Sequence, residues 1–482
     1  MSNTYRDNKL VSTIEEAVKA SGLASGMTVS FHHHLRNGDY VLNMVLEEAA
    51  RQGIKDLTLH ASSLFDAHEP LIEHIKNGVV TQIKTDYMSK KVGAAISSGI
   101  MEKPVIFRTH GSRPGDICNG TEHIDVAFIA APTADPMGNC TGKYGKSRFG
   151  SIGYAMADAE HADHVVVITD NLVEYPLVGA SITEDFVDAV LQVESIGDPA
   201  LIVSGTTAIT RDPVRLRMAQ MAVKCIEAAG LLKDGMSFQT GAGGATLATS
   251  IYLKDKMQEK GIVGSFVVGG ITSYHVDLQK AGYFKALLDV QDFDTGSAAD
   301  LAENPAHIEV SGRLYSSAAG TSSCMTRLDA AMMGATEIDT EFNVNVHTDS
   351  NGVIMGGSGG HTDACEQCKM AVIIAPLFRN RLPIVLDHVN VISTKGEFVD
   401  VLVTEKGVAV NPNVTKPNRI PDLKERFIAA GIPVVDIKDL KAMAEEICGK
   451  PVPAPKGDRI VGEVLGHSGE HVDYIYNVPG KM

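Results

Sequence analysis

The sequence has few of the features that mark secreted, membrane-bound or nucleic-acid-binding proteins. It contains no apolar run as long as a membrane span, and the segment Met1 to Lys9 lacks the apolar centre of a signal peptide. Basic residues are in deficit. The formal net charge of −16 argues against nucleic acid as a partner, because phosphate binding needs a basic face. The seven cysteines are odd in number and scattered, which favours a reducing cytoplasm over a disulfide framework.

The composition is that of a globular protein with more than one domain. Hydrophobic residues make up 44% of the chain and charged residues 21%, and 482 residues exceed what one ordinary core contains. Short apolar strand patterns alternate with helical patterns, for example at Val29–Phe31, Leu57–His60, Val105–Phe107 and Val126–Ile129. This alternation predicts parallel βαβ units and an α/β fold.

Parts of the sequence recur about 210 positions later. Gly26-Met27 returns as Gly235-Met236, and Gly53-Ile54 returns as Gly261-Ile262. A third set also recurs, with each member shifted by 214 positions: Ile124, Asp125, Phe128, Asp135 and Gly138 as Ile338, Asp339, Phe342, Asp349 and Gly352. We therefore predict two similar open α/β domains in tandem, residues 1–211 and 212–449. Residues 450–482 follow as a linker with three prolines and a short strand-rich extension from Arg459 to Pro479.

Two glycine-rich loops are the first candidates for a functional site. One is Gly356-Gly357-Ser358-Gly359-Gly360-His361, and the other is Gly241-Ala242-Gly243-Gly244. Glycine allows the backbone to approach a ligand closely, and successive N–H groups in such a turn can converge on an anion or an oxyanion. The second loop is not a dinucleotide fingerprint, since Thr246 replaces the third glycine.

Histidines and arginines follow two of the predicted strands. His32-His33-His34 and Arg36 come after the first strand, while Arg108 and Arg113 flank His110 after the strand Val105–Phe107. Because ligands bind at the carboxyl ends of parallel strands, these side chains are candidates to hold a carboxylate. The histidines are weak metal ligands, since consecutive residues of an extended segment point alternately. For Cys365 and Cys368 we favour a partly buried thiol pair over zinc, and we predict no metal site.

With these segments in place, the chain resembles the CoA-transferase fold family, and within it the citrate lyase alpha subunits. Nearly the whole chain takes part. The resemblance rests on Gly26–Val29, Asp125–Asn139, Asp234–Met236, Gly356–Asp363 and Val403–Ala409. The larger branch of CoA-transferases has a glycine-phenylalanine turn where this chain has Phe31–Arg36. That branch also carries a nucleophilic glutamate where this chain reads Val268-Gly269-Gly270-Ile271.

The resemblance implies transfer of a thiol carrier from acetyl to citrate, without a covalent glutamyl intermediate. It implies a carrier protein with a CoA-derived prosthetic group, or CoA as its surrogate, and no tightly bound cofactor. The implied partners are citrate, acetyl-ACP or acetyl-CoA, and the beta and gamma subunits of citrate lyase, with neither nucleic acid nor membrane. The implied oxyanion donors are Gly243, Gly244, Gly359 and Gly360, with Gly241, Gly356 and Gly357 at the carrier. The substrate contacts implied are His32, His33, His34, Arg36, Arg108, Arg113, His361 and Arg327.

Three alternatives remain open at this stage. The first alternative is a CoA-transferase whose acceptor is citramalate or another carboxylate. If it forms an acyl-enzyme, the nucleophile would be Asp277, Asp289, Glu337 or Glu341. A second alternative is a phosphate-ester-binding module that catalyses no thioester chemistry, since this fold serves such roles too. The third is a metal enzyme that uses the three histidines.

Overall fold

A computed structural model describes residues 8–203 and 207–479 of the chain. Residues 1–7 and 204–206 of the predicted first domain and residues 480–482 of the predicted extension therefore lie outside the described part, and of the segment Met1 to Lys9 only the last two residues are described. Within those two ranges, no helix combines the length and apolar character needed to cross a bilayer.

The first half of the chain alternates strands and helices, as predicted. Its strands are β1 Leu10–Val11, β2 Thr28–Phe31, β3 Leu57–Ala61, β4 Val80–Thr85, β5 Val105–Phe107, β6 Val126–Ala131, β7 Thr133–Ala134, β8 Cys140–Thr141, β9 His164–Thr169 and β10 Ala189–Gln192. Its helices are α1 Ile14–Ala20, α2 Val41–Arg51, α3 Leu71–Lys76, α4 Lys90–Ser97, α5 Ser112–Cys118 and α6 Ala155–His161.

The second half repeats this alternation and ends in a hairpin. Its strands are β11 Ser237–Thr240, β12 Gly264–Ile271, β13 Phe284–Asp292, β14 His307–Glu309, β15 Ala330–Met333, β16 Glu337–Asp339, β17 Val344–Asn345, β18 Met370–Ile374, β19 Phe378–Arg379, β20 Leu382–Pro383, β21 Val385–Leu386, β22 Val401–Thr404, β23 Gly407–Val410, β24 Ile460–Leu465 and β25 His471–Tyr476. Its helices are α7 Pro213–Ala228, α8 Gly244–Lys260, α9 Ser273–Lys280, α10 Thr295–Glu303, α11 Gly312–Ser316, α12 His361–Gln367, α13 Leu423–Ala429 and α14 Ile437–Cys448.

The two large sheets share one topology, which confirms the predicted pair of similar α/β units. The first sheet runs β1-β10-β9-β6-β2-β3-β4-β5-β24-β25, and the second runs β14-β13-β12-β11-β15-β18-β22-β23. In the first sheet, β2 and the next six strands of that sheet lie side by side in the order β5-β4-β3-β2-β6-β9-β10. In the second sheet, β11 and the next six strands lie in the order β14-β13-β12-β11-β15-β18-β22, which is the same arrangement. Neighbours within these sets are parallel, so the carboxyl ends of the strands lie along one edge of each sheet.

Burial on both faces explains why the central strands are almost wholly apolar. All six residues of β6 are buried. In β15, Ala330 and Met332 join one hydrophobic cluster while Ala331 and Met333 join another, so the second sheet has a core on each face. Parallel sheets covered by helices on both sides require such sequences.

The structure contains the internal repeat, but the predicted alignment that pairs Asp125 with Asp339 is wrong. Asp125 accepts a hydrogen bond from the backbone N–H of Thr28 at 2.7 Å, and Asp329 accepts the same bond from Ser237 at 2.9 Å. The counterpart of Asp125 is therefore Asp329, 204 positions later, and not Asp339. Each of these aspartates immediately precedes a strand, and its carboxylate accepts from the first N–H group of the neighbouring strand. The feature that repeats is this hydrogen bond and not the Ile-Asp pair.

The C-terminal extension completes the first sheet. The segment between α14 and β24 contains no helix or strand among the described residues, and β24 then pairs in parallel with β5. The hairpin of β24 and β25 joins the end of the chain to the first half. The predicted division into a linker and an extension stays a prediction. The division at residues 211 and 212 stays a prediction.

Candidate active site

The carboxyl ends of the two sheets meet at the interface between the halves. His33, after β2, has its Nε2 atom 3.0 Å from Oε1 of Gln291 near the end of β13. The N–H of Ser151 donates to Oδ2 of Asp292 at 2.9 Å. The backbone N–H of His110, after β5, donates to the carbonyl of Gly359 at 2.9 Å. The predicted segments around His33, His110 and Gly359 therefore lie at this interface.

The three consecutive histidines are buried and face one another. Nδ1 of His32 lies 2.7 Å from Nδ1 of His34, and Nδ1 of His33 lies 2.6 Å from Oγ of Ser62. Burial lowers the pKa of His32 to about 4 and lowers the pKa values of His33 and His34 well below 6.5. These rings are therefore neutral at physiological pH, and they offer hydrogen bonds in place of positive charge.

An aspartate–histidine pair, which the sequence-based prediction did not include, lies beside this cluster. Asp86 follows β4 and its Oδ2 atom lies 2.8 Å from Nδ1 of His110. Because a carboxylate accepts, Nδ1 of His110 carries a hydrogen and its Nε2 atom is the one near the glycine loop. The His110 ring stacks on His33 at 5.4 Å, with Tyr154 at 4.5 Å. Burial raises the pKa of Asp86, and the bond from His110 counteracts this rise.

The glycine loop at residues 356–360 packs directly against this pair. The N–H of Gly359 donates to the carbonyl of Asp86 at 3.1 Å, and a Cβ on Gly359 would lie 3.3 Å from Nε2 of His110. A Cβ on Gly357 would lie 2.4 Å from the Asp86 carbonyl, and one on Gly360 would lie 2.3 Å from the hydroxyl of Tyr315. The glycines are thus required by close packing of protein on protein, and the amide of Gly359 is already bonded.

The second glycine loop reaches the same neighbourhood. The N–H of Gly241 donates to the carbonyl of Met332 at 2.7 Å, and Nε2 of His361 lies 2.9 Å from the carbonyl of Gly334. Both loops therefore flank the carboxyl end of β15. Gly243 is the N-cap of α8, so the amides that follow it belong to the first turn of a long helix. That arrangement can bind an anion.

Arg36 is a buried cation held between the two halves. Its guanidinium carbon lies 5.2 Å from the ring of Phe65 in the first half and 4.9 Å from that of Phe293 in the second. Burial lowers the pKa of Arg36 to about 10, so the side chain stays charged at neutral pH. Its backbone φ of 54° is strained for a residue with a side chain. Strain of this kind clusters at functional sites.

The other predicted basic residues are bonded to protein groups. Arg108 forms ion pairs with Asp116 and Glu122. Nδ1 of His361 lies 2.9 Å from Oγ1 of Thr394, and burial lowers its pKa to about 4. Arg327 is exposed, and its carbonyl accepts from Ser237 at the start of β11, the end of that strand opposite the glycine loop. A direct contact of these residues with substrate stays a prediction.

Arg113 forms a buried ion pair, and this pair leads to a prediction about stability. Its two terminal nitrogens lie 2.8 and 3.1 Å from the carboxylate oxygens of Asp158. We expect Arg113→Gln to lower the free energy of unfolding by about 3–5 kcal/mol, because it leaves the Asp158 charge buried without a partner. Urea denaturation of both proteins measures this. Unchanged stability with a raised citrate KM would instead assign Arg113 to the substrate.

Asp363, in the second half, contacts residues of the first half and of the C-terminal hairpin. It accepts from Oγ1 of Thr109 at 2.6 Å and from the N–H of Gly111 at 2.8 Å, and Nδ1 of His467 lies 2.7 Å from its Oδ1 atom. His467 belongs to the turn of the C-terminal hairpin, so all three chain segments converge here. His467 is absent from the residues predicted above, because no motif marks a single histidine that is buried by contact with a residue 104 positions away.

The interaction of His467 predicts a pH dependence of stability. Burial alone would lower the pKa of His467, but Asp363, with Glu366 and Glu470, raises it above 6.5. The stabilisation is therefore complete below pH 6.5 and is lost as the pH rises through the folded-state pKa. We expect the difference in unfolding free energy between the wild type and His467→Gln to shrink with rising pH, as measured by denaturation at several pH values. A constant difference would contradict the charge interaction.

The cysteines have no metal-site geometry. Cys365 and Cys368 are free thiols, both fully buried, and burial raises the pKa of each. Within residues 8–203 and 207–479, neither they nor His32–His34 belong to a group of side chains able to share an ion. A groove of about 770 Å³ is lined by residues including Glu341, Arg419 and Lys438. It contains none of the predicted substrate, oxyanion or carrier contacts, and Glu341 is the one alternative nucleophile among its lining residues.

The tandem fold, with its polar groups at the facing carboxyl ends, defines a CoA-transferase-like protein. The family model described as the alpha subunit of citrate lyase matches residues 7–478. The citrate lyase alpha chain of Klebsiella pneumoniae is 47% identical over 473 residues, which cover 98% of this chain and 92% of the relative. That of Haemophilus influenzae is 46% identical over 99% of this chain and 94% of the relative. The chain therefore belongs to the citrate lyase alpha subunit family.

Solved structures agree with this assignment. A Streptococcus mutans protein, described as the alpha subunit of citrate lyase in complex with citrate, superposes with a TM-score of 0.96. It is 46% identical and the match covers 99% of this chain and 93% of that one. The malonate decarboxylase alpha subunit of Acinetobacter baumannii has a TM-score of 0.68, 16% identity and 92% coverage of both chains, which indicates the shared fold alone.

Proposed function

We propose that this chain is the transferase subunit of a citrate lyase, which moves a thiol carrier from acetyl to citrate. The observation that carries the proposal is the placement of two groups at the interface of the two halves: Arg36 against Phe293 of the second half, and His110 beside the Gly359 loop. A buried guanidinium suits a tricarboxylate, because its charge and planar donors can bind a carboxylate on two oxygens. Family membership and the citrate-bound relative support the choice of acid.

The proposed reaction has two acyl-transfer steps. A carboxylate oxygen of citrate attacks the acetyl thioester carbonyl, the C–S bond breaks, and a mixed anhydride and a thiolate result. The thiolate then attacks the citryl carbonyl of the anhydride, and the C–O bond breaks to release acetate. Each step passes through a tetrahedral oxyanion, so hydrogen-bond donors and positioning are what the protein supplies.

We assign the roles by position. Arg36 holds a citrate carboxylate. His110, held by Asp86 through its Nδ1–H, enters the first step with a second proton on Nε2, gives that proton to the thiolate as it leaves and takes it back before the second attack. The neutral histidines His32, His33 and His34 form the wall behind these two residues. Gly243, Gly244 and Gly360 are the proposed oxyanion donors, with Gly241, Gly356 and Gly357 at the carrier. Arg108, Arg113 and His361 act through the segments they anchor.

We further propose that no acyl-enzyme forms. Of the four carboxylates named above as alternative nucleophiles, three are exposed or already bonded, and the fourth, Asp289, is buried with its Oδ1 atom bonded to the N–H of Gln291 at 2.8 Å. Asp277 and Glu341 are exposed, and Glu337 is buried with its Oε2 atom bonded to Asn345 at 2.9 Å. Intact-protein mass spectrometry after mixing with acetyl-CoA tests this point. An added CoA mass would establish a glutamyl or aspartyl thioester instead.

The carrier and the partners follow from the same proposal. The thiol is that of a carrier protein with a CoA-derived prosthetic group, and CoA is its surrogate. The lyase subunit (beta) and the carrier subunit (gamma) are the protein partners. The seven free thiols support a cytoplasmic location.

Acetate release from acetyl-CoA, with and without citrate, tests the function. We expect citrate-dependent acetate together with citryl-CoA detected by mass. Turnover with citramalate and none with citrate would keep the reaction and change the acid. Absence of thioester exchange with either acid, and with the acetylated carrier protein as donor, would overturn the proposal.

A further inference from the structure

Three side chains converge in the second sheet at a point that the transferase chemistry does not use. Asp289 and Asp292 lie near the end of β13, and His307 begins the neighbouring strand β14. All three are buried, and one ligand atom from each lies within 4.8 Å of the other two.

Each of these side chains is fixed by one polar atom and presents the other to the common point. Oδ1 of Asp289 accepts from the N–H of Gln291 at 2.8 Å, and Oδ2 of Asp292 accepts from the N–H of Ser151 at 2.9 Å. Nδ1 of His307 lies 3.1 Å from Oδ2 of Asp300, so this nitrogen donates. Within the described part of the chain, no N–H or hydroxyl group donates to Oδ2 of Asp289, Oδ1 of Asp292 or Nε2 of His307. The two carboxyl groups lie close enough to share a proton.

The three remaining atoms are all electron-pair donors. Nε2 of His307 approaches Oδ2 of Asp289 to 3.3 Å. One proton shared by the two carboxyl groups leaves Nε2 of His307 buried without a partner, which is costly, and only a second proton on that nitrogen would pair all three atoms. A divalent cation accepts an electron pair from all three at once. The carboxylate of Asp300 behind the imidazole is also the arrangement that orients histidine ligands in metal sites.

We propose that Asp289, Asp292 and His307 bind one divalent transition-metal ion, of the Mn²⁺ or Zn²⁺ class. An imidazole with two carboxylates suits these ions better than Mg²⁺ or Ca²⁺, which prefer oxygen ligands alone. A second group, His123, Asp125 and Asp163, differs because His123 is exposed and its Nε2 atom lies 3.0 Å from Asp163. That surface group carries no proposal.

The ion would hold the two halves together next to the active site. Asp292 contacts Ser151 across the interface, and Gln291, between the two carboxylates, contacts His33. A cation at this point would neutralise the buried carboxylates and fix the end of β13, on which both contacts depend. We assign the ion a structural role. The proposal of this site does not depend on the proposed reaction.

The test uses untagged full-length protein purified without chelator. We expect elemental analysis to find a stoichiometric transition metal, and Mn²⁺ added after chelator treatment to raise the thermal midpoint, because an ion that binds the folded state stabilises it. His307→Gln should lose both effects. His275→Gln, a buried histidine of the same half whose ring contacts Thr240, should keep them.

A spectroscopic measurement on the wild type covers the case in which the variant fails to fold. Pulsed electron paramagnetic resonance of the Mn²⁺-loaded protein should detect coupling to one imidazole nitrogen. Protein that contains no transition metal and is not stabilised by Mn²⁺ or Zn²⁺ would overturn the proposal. So would bound Mn²⁺ without nitrogen coupling, or metal retained in folded His307→Gln.

Discussion

Replacing His110 by Gln is expected to lower kcat roughly 10²–10⁴-fold, the range that a positioned acid or base contributes. The reason is that Asp86 holds the ring with Nε2 beside the Gly359 loop, where the thiolate would form. The citrate KM should change little, because Arg36 and not His110 carries the charge that binds the acid. Acetate release from acetyl-CoA at varied citrate separates the two constants, and added imidazole should restore part of the activity.

His123→Gln is the matched control, since that histidine is 62% exposed and lies before β6, outside the interface. It should retain wild-type kinetics. If His110→Gln kept its kcat and instead raised the citrate KM, His110 would be a substrate-binding residue and the proton-transfer role would be wrong.

The second large effect is expected at Arg36. Arg36→Asn should raise the citrate KM roughly 10–100-fold, because a hydrogen bond to a charged group contributes about 1.5–3 kcal/mol and each 1.4 kcal/mol is tenfold. Asparagine tolerates the positive φ at this position better than most residues, so the loop should keep its shape. The KM for acetyl-CoA should stay constant. Initial rates with each substrate varied in turn measure both values.

Arg36→Lys adds a sharper version of this test. Lysine keeps the charge but loses the planar group that stacks between Phe65 and Phe293, so we expect it to restore little of the citrate binding. Arg51→Gln on α2 is the control for the loss of one arginine, since its side chain is 57% exposed. An unchanged citrate KM in both Arg36 variants would remove this residue from the substrate site.

Local patterns were enough to predict the α/β alternation, the duplication and the strand-rich extension. The duplication was visible because Gly26-Met27 and Gly235-Met236 precede the first central strand of each half. The register around Asp125 was assigned wrongly because Ile-Asp pairs recur by chance. The hydrogen bond from Thr28 to Asp125, which shows which aspartates correspond, spans 97 positions and leaves no trace in a local pattern.

The site was only partly predictable for the same reason. The Gly241 loop and the residues after β2 and β5 were named as candidates because each follows a strand, and the Gly356 loop because of its glycines. Asp86 also follows a strand and could have been noticed, but its partner His110 comes 24 positions later on another loop. The ion pairs of Arg108 and Arg113 depend on Glu122 and Asp158, whose sequences carry no motif. Asp86 and His110 come together because the neighbouring parallel strands β4 and β5 place their following loops side by side.

The pairing of β24 with β5 has a consequence for the newly made chain. Until β24 emerges from the ribosome, β5 is the open edge of the first sheet, and residues 108–459 must be translated in the meantime. At about 5–20 residues per second this takes roughly 20–70 s, during which an unpaired strand edge can bind another chain. Because β24 is translated after nearly all of the chain, the nascent first half exposes the edge of β5 until then, and we expect chaperones to bind it during that time.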